Sequence, residues 1–222
     1  MKKVGLGVLV SGSGSNLQSI IDHIEKGLVD AVIKIVISNN PDAYALERAR
    51  KHGIPCCVVA HSAYPEREDF DRKMIEVLRS SGVELVVLAG FMRVLTPLFL
   101  KAFPMKVMNI HPALLPSFPG LHGQKKAFDY GVKFSGCTVH FADEGVDTGP
   151  IIIQAVVPVL DEDTVETLAE RILREEHRIY PQAIQFYAER RIEVVGRKVR
   201  IRNTPRIQRF SLHNPPLMID KG

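Results

Sequence analysis

The run Val4-Gly5-Leu6-Gly7-Val8-Leu9-Val10-Ser11-Gly12-Ser13-Gly14-Ser15-Asn16 decides how the chain folds. Residues 4–10 are apolar without alternation and too short for a core helix, which reads as a central strand buried on both faces. Ser and Gly then alternate through a turn, after which Leu17, Ile20, Ile21 and Ile24 recur at helical spacing. The glycines let backbone approach a ligand closely, and the helix start offers unpaired N–H groups at the positive end of its dipole. Ser15 and Asn16 can cap the helix or bond phosphate oxygens. The turn lacks the lysine of a Walker loop, and Gly12-x-Gly14-Ser15-Asn16 departs from G-x-G-x-x-G, so a plain tight turn is the competing reading.

Outward from this unit the same rhythm repeats. Strands are expected over 31–38, 55–59, 85–88 and 107–110, and helices over 43–52 and 67–79, the latter with Phe70, Met74, Val77 and Leu78 inward. Thr96-Pro97 reads as a helix start with proline in the first turn. This predicts an α/β fold, a mostly parallel sheet with helices on both faces, and ligand-binding loops after the strands. Further on come a short helix over 125–130, a strand over 136–142, an acidic loop over 143–150, and a strand over 151–159 that pairs with its predecessor as a hairpin. Asp163-Thr164 starts a long helix, with Glu166 placed for a capping box and Leu168, Ile172, Ile179, Ile184 and Phe186 as its buried stripe. Pro181 predicts a kink or restart near Tyr180. A hairpin over 192–202 follows, and from Pro205 onward the pattern is irregular. The expected organisation is one domain over 1–203, halved at 104/105, and an irregular tail over 204–222.

The chemistry concentrates in Asn109-Ile110-His111-Pro112-Ala113-Leu114-Leu115-Pro116, an apolar strand stopped by prolines. Asn109 and His111 are two apart, so on an extended segment they face one spot. An amide dipole beside an imidazole suits acyl chemistry, which needs a fixed donor for an oxyanion and a proton donor near neutral pH. Asp147, in Asp143-Glu144-Gly145-Val146-Asp147-Thr148-Gly149-Pro150, is either a turn aspartate or the group that orients His111 and keeps it charged. His111, His122 and His140 lack metal-ligand spacing, and no G-x-S-x-G elbow is present.

The chain has 222 residues, a net charge of +4 and ordinary globular composition. Mild basicity suits anionic small molecules without demanding nucleic acid, and the basic run 197–209 lacks the interleaved aromatics of single-strand binders. No apolar stretch approaches the roughly 20 residues of a membrane span. Cys56, Cys57 and Cys137 form no C-x-x-C, so reduced thiols are expected. The basic, apolar start reads as strand one of a cytoplasmic fold and not as a signal peptide.

Taken together, several ordered motifs resemble the phosphoribosylglycinamide formyltransferase family of folate-dependent enzymes. They are residues 11–18, Ala89-Gly90-Phe91-Met92-Arg93-Val94-Leu95, the 109–116 run, Val139-His140-Phe141, Asp147-Thr148-Gly149-Pro150 and Glu175-Glu176-His177-Arg178-Ile179-Tyr180-Pro181. The resemblance implies a Rossmann-like sheet and formyl transfer from 10-formyltetrahydrofolate, a cosubstrate, to the amine of glycinamide ribonucleotide in purine (IMP) biosynthesis, without a metal. It carries over Asn109, His111 and Asp147 as catalytic, with Gly14, Ser15, Asn16 and Glu176 on the ribonucleotide. It carries over Arg67, Met92, Arg93, Val94, Leu95, Asn109, Asp143, Glu144, Gly145, Val146 and Asp147 on the folate. On this reading 1–104 is the phosphate-binding half and 105–203 the catalytic and folate-binding half. Lys126 stands where the family commonly has Gln, and Cys137 where Gly or Thr is usual; neither is expected to touch the chemistry.

Two rivals share the fold, a formyl-folate hydrolase and a methionyl-tRNA formyltransferase. The first is expected to carry an extra N-terminal domain and the second a C-terminal RNA-binding barrel, whereas here the first strand begins at once and a hairpin and tail close the chain. A phosphate-binding module without activity would not need Asn109, His111 and Asp147 together. The expected partners are the two small substrates, with no nucleic acid or membrane, and the assembly a monomer or homodimer.

Overall fold

In a computed structural model, which describes residues 3–204 together with Leu212 and Asn214, nine strands form one sheet in the order β3-β2-β1-β4-β5-β6-β7-β9-β8. The strands are β1 (Val4–Val10), β2 (Ala31–Ser38), β3 (Cys56–Val58), β4 (Leu85–Leu88), β5 (Val107–His111), β6 (Phe134–Phe141), β7 (Ile151–Pro158), β8 (Ile192–Val195) and β9 (Lys198–Ile201). The helices are α1 (Ser15–Glu25), α2 (Tyr44–Lys51), α3 (Arg67–Ser80), α4 (Pro97–Ala102), α5 (Gly123–Tyr130) and α6 (Val165–Ala188). Strands β3, β2, β1, β4 and β5 run parallel, and β6 then reverses the direction against β5 and pairs with β7 as the expected hairpin. Most of the 204–222 tail lies outside the described residues; within it, the Asn214 amide donates to the Lys133 and Val159 carbonyls.

Alternation along the strands sorts side chains into two cores. Leu6, Val8, Leu85, Val87, Met108 and Ile110 pack with α1, α2 and α6 on one face. Leu9, Val86, Leu88 and Val107 pack with α3 and α4 on the other. Tyr180 is fully buried, and its hydroxyl donates to the Leu88 and Met108 carbonyls at 3.0 and 2.9 Å, which fixes α6 across the β4–β5 step.

In α3, Phe70, Met74 and Leu78 are buried as expected and Val77 packs half-buried against the same core, with Ile75 as a further buried residue. Other local expectations need correction. The α6 capping box pairs Thr164 with Thr167 and not Glu166, because Thr167 is the third helical residue. Phe186 is half-buried and lies under the Arg191 guanidinium, 4.7 Å from the ring centre, instead of in the core. Helix α6 runs through Pro181 without a restart. Proline removes the N–H that would serve the carbonyl four residues back, at His177. That carbonyl accepts instead from the Ser19 hydroxyl of α1, at 2.7 Å.

The Ser19 contact therefore stands in for a missing helical bond. Replacing Ser19 by Ala should cost about 1–3 kcal/mol, the usual penalty for a stranded buried acceptor. In a Pro181→Ala background, where residue 181 regains its N–H, the cost should shrink. A double-mutant cycle by urea unfolding measures this, and strictly additive costs would refute the substitution of one bond for the other.

Candidate active site

On β5, Met108 and Ile110 enter the core beside α6, so Asn109 and His111 point to the opposite face. Antiparallel β6 sets His140 opposite Asn109 and Thr138 opposite His111. The segment after β5 is tied to β6 and β7 by polar side chains, the buried Thr138 and the exposed Gln154. The Thr138 hydroxyl donates to the Ala113 carbonyl at 2.7 Å and accepts from the Leu115 N–H at 3.1 Å, and the Gln154 amide donates to the Leu115 carbonyl at 2.9 Å.

The loop joining β6 to β7 folds back over this face. Asp143 orders it by accepting from the Thr148 hydroxyl at 2.6 Å and the Gly145 N–H at 3.2 Å. Gly149 lets it pass against β6, since a Cβ there would lie 1.8 Å from the Phe141 carbonyl oxygen. Asp147 sits at φ +56°, in the left-handed region that few non-glycine residues occupy. Its carboxylate lies 3.2 Å from His111 Nδ1 and 3.6 Å from His140 Nε2, and accepts from the Gly120 N–H at 2.7 Å and the Asn109 amide at 3.4 Å. The expected catalytic three thus share one cluster. Asn109 also donates to His140 Nε2 at 3.1 Å, while His140 Nδ1–H donates to the Phe141 carbonyl at 2.9 Å.

Burial lowers the His111 pKa below the ordinary imidazole value, and it outweighs the Asp147 charge and the Phe118 carbonyl, which pull upward. Asp147 acts in the expected direction, raising the protonated fraction, while burial, which a sequence does not show, acts against it. The Asp147 carboxylate feels burial pushing its pKa up. The nearby His140 ring, the hydrogen bond from the Gly120 N–H and the charge of a protonated His111 prevail, so its pKa lies below the usual carboxylate value. His111 Nε2–H donates to the Phe118 carbonyl at 2.9 Å, so both ring nitrogens face acceptors.

Helix α1 has Gly14 as its N-cap, at φ +70°, with no side chain to occupy the first-turn N–H groups. A Cβ at Gly14 would lie 2.6 Å from that of Ala45, so packing as well as conformation demands glycine. Ser15 is the first helical residue and Asn16 the second; neither caps the helix. The turn's carbonyls face away: Gly12 accepts from the Ala45 N–H at 3.0 Å, Ser13 from the Arg48 guanidinium at 2.9 Å. The Asn16 amide donates to the buried Glu176 carboxylate at 2.7 Å, and burial raises the pKa of that carboxyl.

Three depressions follow one another. The first is lined by 11–16, Ala89, Gly90 and Met92 (about 170 Å³); the second by Arg67, Met92, Arg93 and Val94 (about 310 Å³). The third includes Val94, Leu95, Asn109, His140, Asp143, Gly145, Val146 and Asp147 (about 80 Å³). Met92 borders the first two and Val94 the last two. Met92, Val94 and Val146 are at least half exposed, which leaves an apolar rim open to a ligand. Of the expected folate residues, Glu144 alone is exposed and lines none of the three.

The sequence profile of the family described as "Formyl transferase" matches residues 5–184. The chain belongs to the formyl transferase family. A solved glycinamide ribonucleotide transformylase 1 from Symbiobacterium toebii is 53% identical, with a TM-score of 0.89 over 90% of this chain and 94% of that one. Phosphoribosylglycinamide formyltransferase of Escherichia coli K12 is 42% identical over 84% of this chain and 88% of its own length. The trifunctional purine biosynthetic protein adenosine-3 of Drosophila pseudoobscura is 50% identical over 82% of this chain, which spans only 13% of that longer protein.

Two residues of this formyl transferase chain had no site role in the sequence reading. His140 fixes the Asn109 amide; the Val139-His140-Phe141 motif marked it in the sequence, but its role follows only from its register against Asn109. Lys126, expected to be remote, donates to the Pro119 carbonyl at 3.0 Å and its charge helps lower the His111 pKa. Among the described residues no group of three His, Cys, Asp or Glu side chains is placed to hold a metal ion. No helix there is long and apolar enough to cross a membrane.

The electrostatics give a signed prediction. Asp147→Asn removes the charge that favours the imidazolium, so the His111 pKa should fall further below its wild-type value. NMR titration of the ring measures it, and an unchanged or raised pKa would show that Asp147 does not act on His111 through its charge.

Proposed function

We propose that the chain transfers the formyl group of 10-formyltetrahydrofolate to the amine of glycinamide ribonucleotide, a step of purine biosynthesis carried out in the cytoplasm with the folate as cosubstrate and no metal. The observation that carries this reading is one carboxylate, Asp147, within 3.2 Å of the His111 ring and 3.4 Å of the Asn109 amide. Residues 1–203 act as one domain. Its 1–104 half supplies the phosphate-binding turn, and its 105–203 half supplies the catalytic groups and much of the folate wall.

The phosphate binds at the first turn of α1, on the N–H groups of Gly14, Ser15 and Asn16, where the helix dipole favours an anion. Glu176, tied to Asn16, meets the ribose. Anchoring this end positions the amine, so binding energy far from the reacting atoms orients the nucleophile. The folate lies along Arg67, Met92, Arg93, Val94, Leu95 and the 143–147 loop. A C–N bond forms as the amine attacks the formyl carbon. The Asn109 amide and the His111 ring, when protonated and with its Nε2–H exchanged from the Phe118 carbonyl to the substrate, hold the oxyanion of the tetrahedral intermediate. Collapse breaks the bond to the folate nitrogen, which takes up a proton while the attacking amine loses one. Asp147 holds His111 for this and relays the proton, directly or through water.

Asp147→Asn should retain the fold and lower kcat at least a hundredfold, in line with general acid–base contributions of roughly 10² to 10⁴. The assay follows tetrahydrofolate release from 10-formyltetrahydrofolate with and without glycinamide ribonucleotide. Equal release in both would mean hydrolysis, and near-wild-type turnover by the variant at an unchanged melting temperature would remove Asp147 from the chemistry.

A further inference from the structure

We propose that Asp71 is a positioning residue for the folate wall: from α3 it fixes Thr96, and with it the Val94–Leu95 segment, against the cleft. The proposal rests on the reading of Val94 and Leu95 as folate contacts.

Asp71 is 2% exposed, although it is a carboxylate on a helix and, among the described residues, no Lys or Arg is in hydrogen-bonding contact with it. Burying such a group is costly unless donors compensate. Two donors do, and both come from one residue. The Thr96 N–H reaches Asp71 Oδ2 at 2.7 Å and the Thr96 hydroxyl reaches the same oxygen at 2.6 Å. Burial raises the Asp71 pKa, with the Thr96 bonds and the Arg67 charge opposing it. Thr96 is the N-cap residue of α4, yet its own side chain does not cap that helix; it is committed to Asp71 instead.

Arg67 lies one turn earlier on α3, on the same face. Its guanidinium donates to the Val94 carbonyl at 2.7 Å. Two side chains four residues apart therefore grip the loop at two points two residues apart, Val94 and Thr96, with Leu95 between them. Val94 and Leu95 line the same depression as Asn109, His140 and Asp147. The wall has no strand or helix of its own there, so α3 lends it rigidity. A loop so held presents its apolar side chains without first having to be ordered by the ligand, which preserves affinity. Arg67 is exposed and faces the cleft, whereas Asp71 is sealed behind it and lines none of the three depressions.

The test compares Asp71→Ala, Asp71→Asn and Thr96→Val with wild type in steady-state kinetics, with hydrogen exchange of the 92–96 amides measured in parallel. Asp71→Ala should raise KM for 10-formyltetrahydrofolate tenfold or more while KM for the ribonucleotide stays within twofold. Exchange at 92–96 should rise, and Asp71→Asn, which keeps an acceptor, should recover part of both effects. Thr96→Val, which retains the backbone donor, should fall between, and it keeps the test informative if Asp71→Ala fails to fold. Unaltered exchange would overturn the grip. Faster exchange with an unchanged folate KM, or both KM values rising together with a falling melting temperature, would overturn the positioning role. Wild-type protein that does not bind tetrahydrofolate in calorimetry would instead overturn the folate reading, separately from the exchange result.

Discussion

The site depends on a carboxylate held where a carboxylate is hard to keep. Asp147 is largely withdrawn from water, on a backbone conformation that disfavours side chains, and between two imidazoles and an amide. What stabilises it is the set of donors that converge on its two oxygens, the Gly120 N–H above all at 2.7 Å. Remove those donors and burial alone would push the group toward its neutral form. Ionised, it fixes the orientation of three side chains from two strands at once. The same burial that makes Asp147 effective depresses the His111 pKa, so the two groups are coupled, and neither has a meaningful charge state apart from the other.

The fold makes this convergence possible by changing direction once. Five parallel strands bring the 11–16 turn and the end of β5 to one edge. An antiparallel β6 then places His140 and Thr138 beside Asn109 and His111 on one face. Had the next strand continued parallel, a helical crossover would have covered that face. Instead the β6–β7 loop folds over it, and the opposite face keeps its helices. Packing and chemistry are thus separated by alternation along β5, where successive side chains belong to different tasks.

Much of this was legible in the sequence because its signals are local. The apolar runs at 4–10 and 85–88, the serine–glycine turn and the two-residue spacing of Asn109 and His111 each carry their meaning within a few positions. The contacts that failed to show are those decided by partners far along the chain. Pro181 predicts a break only if nothing else serves the His177 carbonyl, and Ser19 lies 158 residues away. His140 becomes a site residue only once its register against Asn109 is known. The charge of His111 could be inferred from a neighbouring carboxylate but not from burial, which a sequence does not display. Gly14 was read as making room for a ligand, whereas contact with Ala45 already requires it.

The loops around the cleft show a common solution to a common problem. Each carries groups that must be placed to a fraction of an ångström, yet none has a ladder of backbone hydrogen bonds to hold it. Thr138 and Gln154 pin 113–115, Asp143 closes the acidic loop on itself, Ser11 holds the Met92 N–H at 2.8 Å, and Asp71 holds Thr96. In every case a polar side chain supplies the hydrogen bond that secondary structure would otherwise provide. Most of these side chains sit on or beside strands and helices, so the rigidity of the sheet reaches the cleft through them. This explains why residues such as Thr138 and Asp71, polar and buried at apparent cost, belong where they are. Replacing them by apolar side chains would fill the same space but leave the loop's N–H and C=O groups unanswered, and the wall they build would no longer have one shape.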